Sequence, residues 1–157
     1  MHFNYTSGHK VAFDDWRKGK KPRVKGGKVS FSSTTGKTDN SYSNFKKYMR
    51  SIFMYAGTAS LEKEMKAKKL EDVEAGDVFI KGGYPGHAIL IMDVAENPQT
   101  GHKLFLVAQS YMPAQSIHIL NNFNASALSP WYPIDFGGVL ETPEWDFAKE
   151  ALHQFRE

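Results

Sequence analysis

His87 is the residue of this sequence best placed to do chemistry. It follows a turn rich in glycine and proline, residues 82–86, and precedes a mainly apolar run, residues 88–94, that favours a buried β-strand. At the first position of a strand, an imidazole is held by a rigid element while the adjoining loop leaves it accessible. Histidine titrates near neutral pH and serves as a general base or as a metal ligand. This position therefore predicts a pocket with His87 at its edge.

A hairpin is expected to bring other polar side chains to the same end of the sheet. An Asn-Pro-Gln-Thr-Gly turn separates two apolar runs, and pairing Val94 with Lys103 across it places Ser110 opposite His87. A slip of one residue places Gln109 there instead, and the register decides which of the two shares the face of His87. Polar groups at the end of an apolar hairpin need partners. The residues predicted to line a ligand-binding hollow here are Tyr84, Tyr111, Gln115, His118 and Trp131.

Three roles are open for the His87 imidazole. As a general base it needs a nucleophile beside one ring nitrogen and an orienting acceptor beside the other, and Gln109 or Ser110 could be that acceptor. As a metal ligand it needs at least two more ligands, for which His118 and Asp93 are the candidates, but their spacing matches no known metal motif. As a structural residue it closes the turn by bonding to backbone. The sequence predicts no metal and no cofactor.

The elements that position His87 are predicted from periodicity and turn residues. Apolar residues recur every three or four positions over residues 41–56, which predicts an amphipathic helix that Ser41 or a polar residue just before it can cap. Further helices are expected over residues 60–70 and 144–155. Short connections between the apolar runs favour an antiparallel meander over helical crossovers. The predicted strands of this meander are residues 78–80, 87–94, 104–110 and 116–120.

Length and composition favour a single α+β domain over residues 1–157. We expect a basic segment containing aromatic residues, a core of helix and sheet, and a C-terminal segment with a helix, over residues 1–38, 39–120 and 121–157. The absence of cysteine excludes disulfides, thiolate metal ligands and a cysteine nucleophile. No apolar run is long enough to span a bilayer, and we expect no signal segment in the polar residues 1–20.

Charge is distributed unevenly along the chain. The net charge is +3, but residues 1–81 carry +8 and residues 82–157 carry −5. Seven basic residues lie between Arg17 and Lys28, which makes this run a candidate site for an anionic polymer. The run contains no aromatic residue on which a base could stack, and this argues against a nucleic acid. The alternative is a solvated face beside the acidic half of the same chain.

Two dipeptides occur at positions, relative to the predicted strands, that match a known group of enzymes. Gly76-Asp77 precedes one predicted strand and Gly86-His87 opens the next, after a capped helix. Over residues 39–111 this order resembles the papain-like hydrolases of the NlpC/P60 and CHAP families. The resemblance implies an α+β fold of papain-like, NlpC/P60 type, with an antiparallel sheet packed against an N-terminal helix.

The same resemblance implies roles for individual residues. In these families a cysteine at the helix N-terminus is the nucleophile, and a histidine oriented by a polar residue of the next strand is the base. His87 then corresponds to the base and Gln109, or Ser110, to the orienting residue. This chain has no cysteine, so the candidate nucleophiles at the helix start are the hydroxyls of Ser41 and Ser43. A serine is far less acidic than a thiol, and both serines are also ordinary capping residues.

Several short motifs, spread along the chain, point to a second family. They include Gly76-Asp77-Val78, Pro85-Gly86-His87, Gln109-Ser110-Tyr111, Trp131-Tyr132 and Pro143-Glu144-Trp145. Together they resemble the bacterial family called domain of unknown function 4846. Members often carry export signals, so the resemblance implies a location in the cell envelope or periplasm. The family has no established activity to transfer.

These observations favour a cysteine-independent hydrolase that acts in the bacterial envelope on a peptide, amide or peptidoglycan-type substrate. The alternative is a non-catalytic module on the same fold that binds a sugar, a peptide or an anionic polymer. The absent thiol favours binding, whereas the density of polar groups at the hairpin end favours catalysis. A third reading is a structural domain that binds a protein partner.

Overall fold

A computed structural model describes residues 1–33 and 36–156 of the chain. Its elements divide between two units, Met1–Glu64 and Met65–Glu157. Helices are few and the paired strands are antiparallel, so the fold mixes α and β structure as predicted. The single domain over residues 1–157 stays a prediction. Among the residues that the structure describes, no helix combines the length and the apolar character needed to cross a bilayer.

The first unit packs small hairpins and helices around aromatic side chains. Tyr5, Trp16 and Tyr48 are buried together with Val11 and Ile52. The aromatic residues spaced through the N-terminal segment therefore contribute to a core. The elements of this unit are β1 (His2–Asn4), β2 (Lys10–Ala12), α1 (Phe13–Arg17), β3 (Pro22–Lys25), β4 (Lys28–Phe31), α2 (Tyr42–Tyr55) and α3 (Thr58–Glu64).

Helix α2 confirms the helix predicted over residues 41–56. Ser41 is its N-cap, and the Ser41 hydroxyl accepts a hydrogen bond from the Asn44 amide at 3.2 Å. The inward stripe of the helix places Tyr48 and Ile52 in the core of the unit. Burial of one such side chain contributes about 1.5–3 kcal/mol.

The strands of the second unit are β5 (Lys66–Ala67), β6 (Val78–Lys81), β7 (His87–Glu96), β8 (Lys103–Gln109), β9 (His118–Ile119), β10 (Tyr132–Pro133), β11 (Val139–Glu141), β12 (Asp146–Ala148) and β13 (Leu152–Gln154). One sheet has the strand order β10-β8-β7-β6-β13-β5, and β9 pairs with β8. Consecutive pairing of β6, β7, β8 and β9 confirms the predicted antiparallel meander. Short 3₁₀ turns cover Leu70–Asp72 and Lys149–Ala151.

The register predicted for the β7–β8 hairpin was wrong. Val94 pairs with Phe105 rather than with Lys103, and the register then shifts at a bulge so that Ile91 pairs with Val107. Met92 is the extra residue of this bulge. The strands thus extend closer to the turn than the sequence suggested, because the turn residues themselves are fewer than predicted.

Two predicted helices also require correction. The helix predicted over residues 60–70 ends at Glu64, because Lys66–Ala67 extends to pair with β13 at the edge of the sheet. The helix predicted over residues 144–155 is replaced by β12, a 3₁₀ turn and β13. Strand β13 hydrogen-bonds to β6 and buries Leu152 in the core, so pairing with the sheet outweighs the local helical pattern.

Candidate active site

The bulge in β7 decides which side chains share a face with His87. Ile89 and Ile91 of β7 lie in the core with Phe105 and Val107 of β8. Because side chains alternate along a strand, His87 continues the inward face of β7 and Gln109 continues that of β8. If Met92 were paired with Val107 instead of forming the bulge, the register at Val94 would carry through and residues 87–91 would be one position out of step with β8.

A chain of hydrogen bonds starts at the His87 ring. Nε2 of His87 lies 2.6 Å from Oε1 of Gln109, and Nε2 of Gln109 donates to Oε2 of Glu144 at 2.6 Å. His87 is the first residue of β7 and is half-buried, as predicted, whereas Gln109 is only 2% exposed. The buried amide therefore connects the ring to a carboxylate at the surface.

The carboxylate fixes which ring nitrogen of His87 carries a proton. An ionised carboxylate only accepts hydrogen bonds, so the NH₂ group of Gln109 must face Glu144. The carbonyl oxygen of Gln109 then faces His87 and accepts from Nε2–H. In the neutral ring the lone pair consequently lies on Nδ1. Within residues 1–33 and 36–156, Nδ1 makes no hydrogen bond, which leaves it available as a base.

Aromatic side chains surround the His87 ring. The ring of Tyr111 meets it edge-on at 5.2 Å, and that of Trp145 lies 5.5 Å away at a tilt of 40°. Phe147, from the core, lies beneath it at 6.1 Å. Lys81 pairs with His87 across β6 and β7, and its ammonium lies 5.9 Å from the centre of the Trp145 ring. These contacts restrict the imidazole to one orientation.

A hollow of about 390 Å³ opens beside His87. Three of the residues predicted for the site, Ser110, Tyr111 and Gln115, line it together with His87. Its other lining residues are Gly86, Met112, Ala114 and Trp145. This volume lies within the range of pockets that take small molecules.

Other residues predicted for the site lie outside that lining. Tyr84 is fully exposed in the turn before β7. His118 is exposed on β9, and its Nδ1 lies 3.0 Å from the Ser116 carbonyl oxygen. Trp131 is half-buried, and its carbonyl oxygen accepts a hydrogen bond from the Asn122 amide.

The serines at the helix start belong to the first unit. Ser41 caps α2, and Ser43 is exposed in the first turn of the same helix. Their roles as nucleophiles stay predictions. Ser110 is exposed in the second unit and lines the hollow next to His87.

Sequence reasoning missed Glu144 and Trp145 as site residues. Both lie in the helix predicted over residues 144–155, although they also belong to the Pro-Glu-Trp motif on which the family resemblance partly depends. Their loop precedes β12, whose Phe147 is anchored in the core. The Pro-Glu-Trp motif could have indicated a site here, because a Glu-Trp pair close to a buried aromatic residue places a polar group and a stacking group side by side.

The Gly76-Asp77 dipeptide has a structural role. The Asp77 carboxylate lies 2.9 Å from Lys68 Nζ, and both side chains are less than 10% exposed. Asp77 also accepts a hydrogen bond from the Glu74 amide, and its own carbonyl oxygen accepts from the Ile91 amide. Burial acts to lower the pKa of Lys68, but hydrogen bonds to Glu74 and Asp77 outweigh it and raise that pKa. This cluster attaches the loop before β6 to the middle of β7.

Metal-ligating side chains do not converge in the described part of the chain. No group of three His, Asp or Glu side chains is arranged there to hold an ion. Asp93, one of the candidate ligands, accepts a hydrogen bond from the Val94 amide on the exposed side of β7.

Comparison with known proteins gives the family. Residues 1–154 match the family described as domain of unknown function 4846. The chain belongs to that family. No curated protein and no solved structure matches it. The family match covers the elements that carry His87, Gln109 and Glu144, so the hydrogen-bond chain lies within the domain of unknown function 4846 itself.

Proposed function

We propose that this member of the domain of unknown function 4846 family is a cysteine-independent hydrolase with His87 as its general base. Its architecture would be that of the papain-like, NlpC/P60-type enzymes. It would act in the bacterial envelope on a peptide, amide or peptidoglycan-type substrate. The location and the substrate class rest on the family resemblances, whereas the catalytic role rests on the geometry of the ring.

The orientation of the Gln109 amide carries the proposal. A histidine with a purely structural role can use either nitrogen, and it needs no buried amide and no carboxylate behind it. Here Glu144 orients Gln109, and Gln109 holds the proton of His87 on Nε2. Nδ1 is left without a partner in the described residues, as a general base requires.

The reaction follows from that tautomer. Nδ1 of His87 takes the proton of a hydroxyl group, either that of a water molecule in the hollow or that of Ser110. The freed oxygen attacks the substrate carbonyl carbon and forms the new C–O bond. The C–N bond then breaks, and the leaving nitrogen takes the proton back from the imidazolium. If a serine attacks, a water molecule hydrolyses the resulting ester by the same proton transfers.

The test uses peptidoglycan, because it presents peptide, amide and glycan linkages together. Purified peptidoglycan is incubated with the protein, and released fragments are identified by chromatography and mass spectrometry. We expect fragments with new amino termini from the wild type. General base catalysis contributes about 10²–10⁴-fold, so the His87→Ala variant should release them more slowly by that factor.

A matched control uses another histidine. His102 is exposed and contacts Asp135 at the far end of the β7–β8 hairpin, so His102→Ala should leave fragment release unchanged. Equal rates for wild type and His87→Ala would overturn the catalytic role of His87. Release of glycan fragments without new amino termini would show that the protein cleaves a sugar linkage rather than an amide.

A binding module is the second candidate, and the aromatic walls of the hollow favour it. Tyr111 and Trp145 present rings beside His87, and such rings bind sugars or peptide side chains without chemistry. Co-sedimentation with insoluble peptidoglycan distinguishes the two functions. A wild type that sediments without releasing fragments, together with a Trp145→Ala variant that does not sediment, would support binding alone.

A further inference from the structure

The basic run from Arg17 to Lys28 contains two kinds of cation. Those in its first half are paired locally: Lys18 Nζ lies 2.5 Å from an oxygen of Asp14, and Lys20 Nζ lies 3.0 Å from one of Asp15. Asp14 and Asp15 thus offset part of the positive charge of this half. The basic residues of the run that form ion pairs or side-chain hydrogen bonds are Arg17, Lys18, Lys20 and Lys21.

The second half of the run lies on one face of the β3–β4 hairpin. Val24 and Val29 pack against the core of the first unit, so the alternate residues of both strands face outward. Arg23, Lys25 and Lys28 are exposed on that outward face. In residues 1–33 and 36–156, none of the three forms an ion pair.

The arrangement at the hairpin tip is unfavourable unless an anion neutralises it. Lys25 pairs directly with Lys28, and like charges at opposed positions destabilise a hairpin. Gly26 and Gly27 connect them with positive φ angles of 55° and 76°, as a two-residue type I′ hairpin turn requires. The tip therefore holds two unpaired positive charges side by side.

A second position for an anionic group lies next to the Lys25–Lys28 pair. Arg23 pairs with Ser30 across the same face, so a guanidinium and a hydroxyl lie opposite each other. Arginine and serine together are common donors to phosphate oxygens. Two residues along a strand span roughly 7 Å, so the Arg23–Ser30 pair and the Lys25–Lys28 pair can contact successive anionic groups of one chain.

From this geometry we infer that the outward face of the β3–β4 hairpin binds an extended phosphodiester polymer through its backbone. The face carries no aromatic side chain for base stacking and no apolar side chain to insert into a bilayer. It is two strands wide, which suits a thread-like ligand better than a membrane surface. The inference is independent of the hydrolytic site.

The experiment measures binding of a fluorescent abasic deoxyribose-phosphate oligomer by anisotropy. Three phosphate contacts predict a slope of log Kd against log salt of about 2, or about 20-fold weaker binding at about 200 mM than at about 50 mM salt. The Lys25→Gln/Lys28→Gln variant should bind at least about fivefold more weakly and show a slope below about 1.

The control removes the same charge from the same run. Lys18→Gln/Lys20→Gln loses two cations that already have acidic partners, and its affinity should change by less than about twofold. Equal losses in both variants would overturn the inference, as would no binding to the oligomer. Tighter binding to oligothymidylate than to the abasic oligomer would indicate that the hairpin recognises bases. Binding only to phosphatidylglycerol vesicles would indicate that it recognises a membrane surface. Either result would contradict the inference that it binds a polymer backbone.

Discussion

At His87, the position of a single proton decides which ring nitrogen can act as a base. The acceptor oxygen of Gln109 holds that proton on Nε2 only while Glu144 orients the amide. In the Glu144→Gln variant the amide can rotate, because a second amide accepts as well as donates. We expect neutral His87 to be the Nε2–H tautomer in the wild type and a mixture of tautomers in Glu144→Gln, as measured by two-bond ¹H–¹⁵N correlation spectra.

His102 provides the internal reference for this measurement. It contacts Asp135 and has no link to Gln109 or Glu144, so its ¹⁵N shifts should be the same in both proteins. A wild-type His87 protonated on Nδ1 would contradict the assigned base, whatever the substrate turns out to be.

Lys68 and Lys69 are neighbours with different surroundings, and this gives a second prediction at the residue scale. The Lys68 side chain is only 9% exposed and contacts both Glu74 and the buried Asp77, whereas Lys69 is exposed. Lys68→Met leaves the Asp77 carboxylate buried without a counter-charge, which should lower the free energy of unfolding by about 3–5 kcal/mol. Lys69→Met should change it by less than about 0.5 kcal/mol. Urea unfolding measures both, and similar values would show that the buried pair does not stabilise the fold.

Among the elements, β7 contains one inserted residue. Deletion of Met92 should remove the bulge without shifting the register, because Ile91–Val107 and Asp93–Leu106 then become consecutive pairs. Ile89 and Ile91 keep their positions in the core, and His87 keeps its face. We expect the deletion to retain the His87–Gln109 contact in NMR spectra and to lower the free energy of unfolding by no more than about 1 kcal/mol.

Substitution at the same position keeps the bulge. Met92 is 45% exposed, so Met92→Ala preserves the chain length and should change the free energy of unfolding by no more than about 0.5 kcal/mol. Loss of the His87–Gln109 contact in the deletion variant, but not in Met92→Ala, would contradict this register.

The sequence predicts local patterns well and distant pairings poorly, and the two halves of the site illustrate this. The start of β7 at His87 follows from a turn and an apolar run, which are both local. The bulge could not be predicted, because residues 88–92 are all apolar and show no alternation that an extra residue would interrupt. Glu144 lies 35 residues from Gln109, so only the tertiary fold brings them together.

The β3–β4 hairpin offers a prediction of its own. Lys25 and Lys28 repel each other across the pair, and Lys28→Glu replaces the repulsion by an attraction. We expect the free energy of unfolding to increase by about 0.2–1 kcal/mol at low ionic strength, as measured by thermal unfolding. The increase should shrink at high salt. A decrease would mean that the two lysines do not oppose each other in solution.

On the scale of the whole molecule, each unit contains a buried tyrosine whose ionisation opposes folding. Burial raises the pKa of Tyr48 in the first unit and of Tyr132 in the second, each to about 12. Their hydroxyls donate to the carbonyl oxygens of Val11 and Asn121. Both cores therefore require a neutral phenol, and alkaline pH should destabilise both units by the same mechanism.

The sign of this effect follows from the raised pKa values. An unfolded tyrosine ionises near pH 10, so stability is fully present below that pH and is lost as pH rises towards about 12. At about pH 11 each tyrosine should lower the free energy of unfolding by about 1.4 kcal/mol relative to neutral pH.

Phenylalanine variants test this effect. Each of Tyr48→Phe and Tyr132→Phe lacks a hydroxyl that can ionise, so its alkaline loss of unfolding free energy should be about 1.4 kcal/mol smaller than that of the wild type. At neutral pH each variant should be less stable than the wild type by about 1 kcal/mol, because the hydroxyl hydrogen bond is absent. Tyr42 is 72% exposed, so Tyr42→Phe should keep the full alkaline loss. Urea unfolding at neutral and alkaline pH measures the difference, and a Tyr42→Phe variant that behaved like Tyr48→Phe would show that burial is not the cause.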